Sequence, residues 1–423
     1  MLLNLRRACS GAITITTICS ILLSLVSVAK AEEEATSESE LIRRYLASPP
    51  MQSELRASAL QELAAVAPAA LANPELEYRH EEARGPAGAT TDAIGAAITV
   101  DLGLVSAAEF QAARLRKDAV RPRVRTDLVG AVCELRRELS QLWAAERRAQ
   151  VVEIGHGRLH ELTAVFEAMA SAGEVSGYDL DRVALADSSH RVEMASAAGD
   201  VAALRARVAS STHGPVTHVE LVEPIAPAPL EAILERARAE HPELVALRLQ
   251  QRAASRDEAA ARRQAAPSLR LSGAARFDGL PDGGGRTPGF EVGAVVELPV
   301  FDHKRREARS AISTAQGWAA RVARTEQRVL AAIEAAWWRG TIARGLAEAV
   351  VDTEALWSAA RSRYAGGEAS IDELLQIARD VEEADVATLE ADVLARSADL
   401  ELQCAAGRFD DPRIESAIDE VIW

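Results

Sequence analysis

The chain has 423 residues, a formal net charge of −15 and only 4% aromatic residues. A surface this acidic argues against nucleic-acid binding, because basic patches are needed to neutralise phosphates. Ala, Leu, Glu and Arg are abundant, and all four are strong helix formers. The composition therefore predicts a largely helical mature chain.

The first 31 residues have the pattern of a signal peptide. Arg6 and Arg7 form a positive start, an apolar stretch follows at 13–28, and Ala29-Lys30-Ala31 fits a small-x-small cleavage site. A membrane anchor is the alternative, but the apolar stretch is short and interrupted by Thr and Ser. Cleavage removes three basic residues and no acids, so the net charge falls from −15 to −18. The sequence predicts export.

Two cysteines, Cys133 and Cys404, lie beyond the signal peptide. Neither has a neighbouring thiol, which argues against a zinc site or a redox pair. A disulfide between them would need an oxidising compartment, and their spacing does not decide whether they pair. Beyond the signal peptide no segment approaches eighteen consecutive apolar residues, so no transmembrane helix is predicted.

The sequence repeats itself at an offset of 194 residues. Segment 172–180 aligns with 366–374, and the same offset pairs Trp143 with Trp337. Similar helix composition is the alternative explanation, but a single offset maintained over 135–184, with a rare Trp included, favours duplication. We predict a first repeat at 32–214, a Pro-rich linker at 215–228, a second repeat at 229–409 and a C-terminal tail at 410–423.

Four segments alternate apolar and polar residues with a period of two, which predicts strands at about 75–84, 92–102, 268–278 and 290–300. A Gly-rich segment at 279–289 predicts a long flexible hairpin loop. Soluble hairpins packed on helices are the alternative, but segments of about ten residues with this alternation match membrane strands. Four strands cannot close a barrel, so several chains would have to contribute to one.

Each strand pair is followed by long helical patterns, at about 106–171 and 176–210 in the first repeat and about 303–364 and 370–409 in the second. Pro122 is expected to interrupt the first of them. A 60-residue helix would span about 90 Å, a length typical of coiled coils or tunnel walls. At the turn between the helices of each repeat, Gly is expected to end one helix, and Ser176 or Ser370 to cap the next.

No catalytic, cofactor or metal site is predicted. His156 and His160 are four residues apart, but Gly157 stands where a zinc-protease helix needs Glu, so a solvated helix face is the preferred interpretation. We find no Ser/His/Asp or Cys/His arrangement with local support. The sequence therefore predicts a protein that is not an enzyme.

Several motifs together resemble the TolC-type outer-membrane efflux family over roughly residues 38–408. They are Asn73-Pro74-Glu75-Leu76, His241-Pro242-Glu243-Leu244, the strand at 293–301 and the segment at 363–370. The resemblance implies a mainly α fold with a small β part. It also implies a homotrimer with four strands per protomer, forming a twelve-stranded membrane barrel that continues as a periplasmic tunnel of long antiparallel coiled-coil helices. The Asn-Pro-Glu-Leu opening favours the heavy-metal-efflux branch typified by CzcC.

The chain departs from that branch in two places. Gly103-Leu104-Val105-Ser106 lacks the basic stretch common after the first strand pair, and the tail at 410–423 matches no pattern of the family. These departures leave the substrate class open.

The resemblance implies a passive exit duct of a tripartite efflux system in the outer membrane of a Gram-negative bacterium. Its partners would be a periplasmic adaptor and an inner-membrane pump of the resistance-nodulation-division type, and its cargo heavy-metal cations or drugs. The helix-turn tips would contact the adaptor, and acids past the second tip would line a periplasmic aperture. The tip residues are Gly173, Glu174, Ser176, Gly367, Glu368 and Ser370, and the aperture residues are Asp372 and Glu373.

Two alternative functions stay open at this stage. One is a periplasmic coiled-coil scaffold that never enters the membrane. The other is the outer-membrane duct of a type I protein secretion system. No residue of the predicted pore identifies the transported substrate.

Overall fold

The computed structural model describes residues 36–64, 73–82, 90–223, 228–279, 285–299, 303–347 and 352–422. The predicted signal peptide at 1–31 lies outside them, as does most of the Pro-rich part of the predicted linker. The described chain is mainly helical with a small β part, which confirms the predicted fold class at that level.

The helices are α1 (Glu38–Ala47), α2 (Pro49–Ala64), α3 (Val105–Ala172), α4 (Gly177–Thr212), α5 (Leu230–Glu240), α6 (Pro242–Arg263), α7 (Arg305–Ala347), α8 (Thr353–Ala365), α9 (Ile371–Ala406) and α10 (Pro412–Ile422). The strands are β1 (Thr36–Ser37), β2 (Glu75–Glu82), β3 (Thr90–Asp101), β4 (Val219–Glu220), β5 (Ser268–Gly279) and β6 (Arg286–Glu297). The chain forms two compact units, one from the described parts of 1–52, 128–234 and 332–423, the other from those of 53–127 and 235–331.

The second unit contains an antiparallel four-stranded sheet in the order β2-β3-β5-β6. The hairpin between β5 and β6 is tighter than the predicted loop at 279–289, because Gly279 pairs with Arg286 and the ladder continues through Thr287 and Gly289. Backbone pairing extends the two strands there even though the side chains no longer alternate. The prediction of a long flexible loop across all of 279–289 is therefore wrong.

Helix α3 runs unbroken from Val105 to Ala172, although Pro122 lies inside it. The predicted interruption at Pro122 is wrong. A proline removes one backbone donor, and the hydrogen bonds on either side of it can still hold a helix of this length together. In the second repeat, the predicted helix at 303–364 is described as α7 and α8, with 348–351 outside the described residues. Asp352 caps α8 by accepting a hydrogen bond from the Ala355 amide at 2.9 Å.

The first unit is tied together by a disulfide between Cys133 on α3 and Cys404 on α9, whose Cα atoms are 6.0 Å apart. Next to the bridge, the buried Arg136 donates hydrogen bonds to Glu38 and Gln403. The sequence left this pairing open, and the structure decides it. The bridge joins the first predicted repeat to the second.

The predicted tail contains a further helix, α10, which packs against α1 in the first unit. Ile414 and Ile418 are fully buried on α10, as are Leu41 and Ile42 on α1. The Glu415 carboxylate accepts a hydrogen bond from the Phe409 amide at 2.7 Å. The tail therefore completes the apolar core at this end of the unit.

Among the described residues, no helix is long and apolar enough to cross a membrane.

Candidate functional site: two helix tips and a two-faced sheet

The first helix tip is a tight turn between α3 and α4. Gly173 takes a left-handed conformation with φ of 79°, and the Glu174 amide donates to the Met169 carbonyl at 2.9 Å. These two features end α3 in the manner of a Schellman motif. Ser176 then caps α4, since its hydroxyl oxygen accepts a hydrogen bond from the Asp179 amide at 3.2 Å.

The second helix tip, between α8 and α9, has the same construction. Gly367 has φ of 72°, and the Glu368 amide donates to the Arg363 carbonyl at 2.9 Å. Ser370 caps α9 through the Glu373 amide at 3.2 Å, and the Glu373 carboxylate accepts from the Ser370 amide at 2.8 Å. Positions related by the 194-residue offset therefore take the same conformations.

An apolar core joins the two helical hairpins that carry these tips. Its buried members are Leu159, Leu162, Phe166, Val183, Trp357, Ala360, Leu374, Leu375 and Val381. Phe166 stacks on Tyr364 with ring centroids 5.5 Å apart. Burial raises the pKa of the Tyr364 hydroxyl, with a smaller contribution from the nearby charge of Asp179. The two tips therefore belong to one packed body.

All eight predicted site residues are exposed to solvent. The six assigned to the tips form the turns and caps described above. Of the two predicted aperture acids, Glu373 is engaged in the cap of α9, and Asp372 forms an ion pair with Arg182 of α4. Sequence reasoning did not single out Arg182, because a contact between two separate hairpins leaves no local pattern.

Side-chain clusters also lie between the two hairpins of the first unit. Arg158 on α3 forms ion pairs with Glu354 at 3.0 Å and Asp385 at 3.3 Å. A cavity of about 490 Å³ is lined partly by Arg158, Arg182, His190 and Glu382. This cavity contains both basic and acidic groups.

The predicted solvated face at His156 and His160 is only partly correct. His160 is exposed, but His156 is largely covered, and its Nδ1 lies 3.2 Å from the Oδ1 atom of the buried Asp187. Asp187 comes from α4, so its position could not be read from the spacing of the histidines.

The four-stranded sheet has two chemically different faces. On one face, apolar residues lie opposite one another in every strand pair, such as Ile98 opposite Leu271 and Val100 opposite Leu269. On this face Leu76, Phe290 and Val292 are almost fully exposed. The apolar patch ends where His80, Asp92 and Arg286 form ion pairs on the same face. An exposed apolar patch of this kind marks an interaction site, with a membrane or with another protein.

The opposite face of the sheet carries ion pairs. Arg270 lies 2.7 Å from Glu75, and Arg79 lies 3.0 Å from Glu77. Small residues let the backbones of β3 and β5 approach closely there, because a Cβ at Gly95 would lie 2.7 Å from the Ala274 Cβ. This face is suited to contact with water rather than with apolar material.

Comparisons with known proteins identify this architecture. Residues 233–408 match the family model described as outer membrane efflux protein, a family of passive channels rather than enzymes. A search of curated proteins finds no match.

Solved structures match over most of the chain. CusC matches with a TM-score of 0.72 at 16% identity, covering 88% of this chain and 92% of CusC. VceC of Vibrio cholerae matches with a TM-score of 0.67 at 16% identity, covering 88% and 97%. The CmeC outer membrane channel of Campylobacter jejuni matches with a TM-score of 0.66 at 14% identity, covering 91% and 89%. Residues 233–408 therefore resemble the outer membrane efflux protein family, and the chain has the fold of these outer-membrane channel proteins.

Proposed function

We propose that this protein is the outer-membrane exit duct of a tripartite efflux system. Three copies would join their four-stranded sheets into one twelve-stranded barrel, and the long helices would continue it as a periplasmic tunnel. The barrel would place the duct in the outer membrane of a Gram-negative bacterium, with a large periplasmic part. An inner-membrane pump of the resistance-nodulation-division type and a periplasmic adaptor would deliver the cargo.

The observation that carries this proposal is the two-faced sheet. Apolar residues are exposed on one face of all four strands, with the paired His80, Asp92 and Arg286 confined to one end of that face. Charged pairs such as Arg270–Glu75 and Arg79–Glu77 lie on the other face. Outer-membrane strands have the same division, with apolar side chains toward lipid and polar ones toward the lumen. The outer strands β2 and β6 each leave one edge unpaired within the described sheet, and pairing with neighbouring copies would satisfy those edges.

The sheet offers a matched pair of variants to test membrane insertion. Val292 and Val295 lie three residues apart on β6, are 80% and 58% exposed, and point to opposite faces. Val292→Arg would place a charge among lipid tails and destabilise the inserted state by about 2–4 kcal/mol if it lies near the middle of the bilayer. Val295→Arg would keep its charge on the polar face, opposite Arg270 of β5.

The measurement is the yield of heat-modifiable trimers in the outer-membrane fraction, followed by conductance in planar bilayers. We expect Val292→Arg to lower the yield of trimers and Val295→Arg to leave it near that of the wild type. Equal yields for the two variants would contradict the membrane assignment of the apolar face. A soluble periplasmic monomer from the wild type would favour the scaffold alternative.

We propose that the exposed tips at 173–176 and 367–370 dock the adaptor, and that Asp372 and Glu373 lie at the periplasmic aperture. The exposure of all eight residues supports this role, because a docking site must be accessible. Carboxylates brought together by three-fold symmetry would repel one another and favour opening. Replacing Glu373 with Ala should change the single-channel conductance, and an unchanged value would contradict an aperture role for Glu373.

For the cargo, we propose heavy-metal cations as the first class to test. The Asn73-Pro74-Glu75-Leu76 motif and the acidic mature chain support it, since a negative field raises the local concentration of cations. Deleting the gene should lower the tolerated concentration of a transition metal such as Zn²⁺ more than that of hydrophobic drugs. A larger loss of drug tolerance would redirect the proposal to drug efflux, and neither loss would leave protein secretion as the function to test.

A further inference from the structure

His190, Glu193 and Glu382 form a cluster in the first unit that the channel function does not use. His190 and Glu193 lie on α4, and Glu382 lies on α9. One potential ligand atom from each lies within 4.8 Å of the other two. We propose that these three side chains bind one divalent first-row transition-metal ion, such as Zn²⁺, and so link α4 to α9. The proposal does not depend on the channel function.

The spacing of the two inner groups suits such an ion. The Nε2 atom of His190 lies 3.3 Å from the Oε2 atom of Glu382. Ligands held at about 2.0–2.1 Å in tetrahedral geometry lie roughly 3.3 Å apart. The His190–Glu382 pair therefore already has the separation of two ligands on one ion. Only Glu193, whose side chain is exposed and has rotamer freedom, would need to adjust.

The cluster is covered on one side and open on the other. The side chains of His190 and Glu382 are 14% and 16% exposed, while Glu193 faces solvent. Gly155 of α3 makes room for the inner carboxylate, because a Cβ there would lie 3.3 Å from the Glu382 carboxyl carbon. An ion could therefore enter past Glu193 and reach two largely desolvated ligands.

Without a cation, neither neutral tautomer of the His190 imidazole matches both of its ring nitrogens to a partner. Its Nδ1 atom is buried and has no hydrogen-bond partner among the described residues. If Nε2 carries the proton, Nδ1 is a buried acceptor that receives no hydrogen bond. If Nδ1 carries it, the lone pair of Nε2 faces the Glu382 carboxylate. A metal ion between Nε2 and Glu382 removes that second conflict and leaves the proton on Nδ1.

The charges around the cluster also favour a cation. The Glu382 carboxylate is largely buried, and Glu193 brings a second negative charge close to it. Arg158 is one nearby cation, and it is already paired with Glu354 and Asp385. A divalent ion would offset both the desolvation of Glu382 and its repulsion from Glu193. One imidazole with two carboxylates suits zinc and its neighbours, whereas Mg²⁺ and Ca²⁺ prefer oxygen ligands alone.

The test uses the untagged mature protein, purified in detergent and stripped of metal with a chelator. We expect titration with ZnCl₂ to give one bound ion per protomer and a higher melting temperature, and MgCl₂ to give neither. His190→Ala and Glu382→Gln should each weaken zinc binding at least about tenfold, since even the loss of an outer-sphere partner commonly costs that much. Melting temperatures in chelator show whether each variant still folds.

Two controls make the test specific. Glu383→Gln changes the exposed neighbour of Glu382 on the same helix and should leave zinc binding unchanged. His156→Ala combined with His160→Ala removes the other closely spaced histidines of the unit and should also leave it unchanged. The proposal is overturned if the wild type binds no zinc, which would leave His190 and Glu382 as a plain ion pair. It is also overturned if either control weakens binding as much as His190→Ala.

Discussion

The two helix tips share one backbone design but differ in how their second helix begins. At the second tip, Ser370 and Glu373 form a complete capping box, with each side chain bonded to the other's backbone amide. At the first tip, the Asp179 carboxylate instead accepts a hydrogen bond from the Ser176 hydroxyl at 2.6 Å. Aspartate is one methylene shorter than glutamate, so its reach to the cap amide is poorer. The second tip therefore satisfies one more backbone donor.

The tips also differ in how they contact Arg182. Tyr178 and Asp372 occupy equivalent positions under the 194-residue offset. The Arg182 guanidinium lies over the Tyr178 ring, 5.8 Å from its centroid, and forms an ion pair with Asp372. The two turns are thus alike, whereas the residues that follow them differ and contact one common partner, Arg182.

The largest effect on stability is expected from breaking the Cys133–Cys404 disulfide. Cys404→Ser should lower the free energy of unfolding by about 2–5 kcal/mol, because the bridge closes a loop across a sequence separation of 271 residues. The measurement is the melting temperature with and without a reducing agent. Reductant should bring the wild type to the value of the variant. If the disulfide of the wild type is reduced and its melting temperature does not change, this stabilising role is contradicted.

Replacing the turn glycines should affect the two tips equally. Gly173→Ala and Gly367→Ala should each cost about 1–2 kcal/mol, because both residues have positive φ. No atom lies within 4 Å of a Cβ built at either position, so the cost is conformational and not steric. Gly177→Ala is the matched control, since its Cβ is equally unobstructed and its φ is not positive. Chemical denaturation of the three variants provides the comparison, and a similar cost for Gly177→Ala would refute the argument.

Exchanging the acids Asp179 and Glu373 between the two caps should reverse which helix start is the more stable. Glu373→Asp should weaken the start of α9, and Asp179→Glu should strengthen that of α4, each by a few tenths of a kcal/mol up to about 1 kcal/mol. Hydrogen exchange of the Ser370 and Ser176 amides reports the change directly. Protection should fall at Ser370 and rise at Ser176. Unchanged protection at both would show that the capping difference has no energetic weight.

The smallest effect is expected at the ion pair between the tips. Asp372→Asn and Arg182→Gln should each change stability by about 0–1 kcal/mol, because the Asp372 side chain is 64% exposed. A double-mutant cycle gives the coupling energy, which should shrink further in high salt. A coupling well above 1 kcal/mol that persists in high salt would show that the pair is much more strongly coupled than a surface ion pair.

Features built from neighbouring residues could be predicted from the sequence. Gly173, Ser176, Gly367 and Ser370 were assigned to the turns because helix ends have local chemical signatures. The four strands were located from their alternation. The hydrophobic pair Ile414 and Ile418 also carried a signal for α10, since residues four apart share one face of a helix.

Features that depend on distant residues could not be predicted. The pairing of Cys133 with Cys404, and the approach of Asp187 to His156 and of Glu382 to His190, each join segments far apart in sequence. Spacing along a single helix shows which residues share its face, but not which helix covers that face. The approach of His190 on α4 to Glu382 on α9 therefore could not be read from either helix alone.

The disulfide described above also constrains the order of assembly. The first unit is discontinuous, and its segment 332–423, which contains Cys404, follows all the residues of the second unit. In N-to-C export, which the proposed function requires, all residues of the second unit are exported before Cys404. The second unit can therefore fold while the Cys133 thiol is still reduced. No other cysteine occurs in 32–423, so Cys133 has no wrong intramolecular partner to capture it. The Cys133–Cys404 disulfide would then form late in folding, and only in chains whose C-terminal segment has been exported.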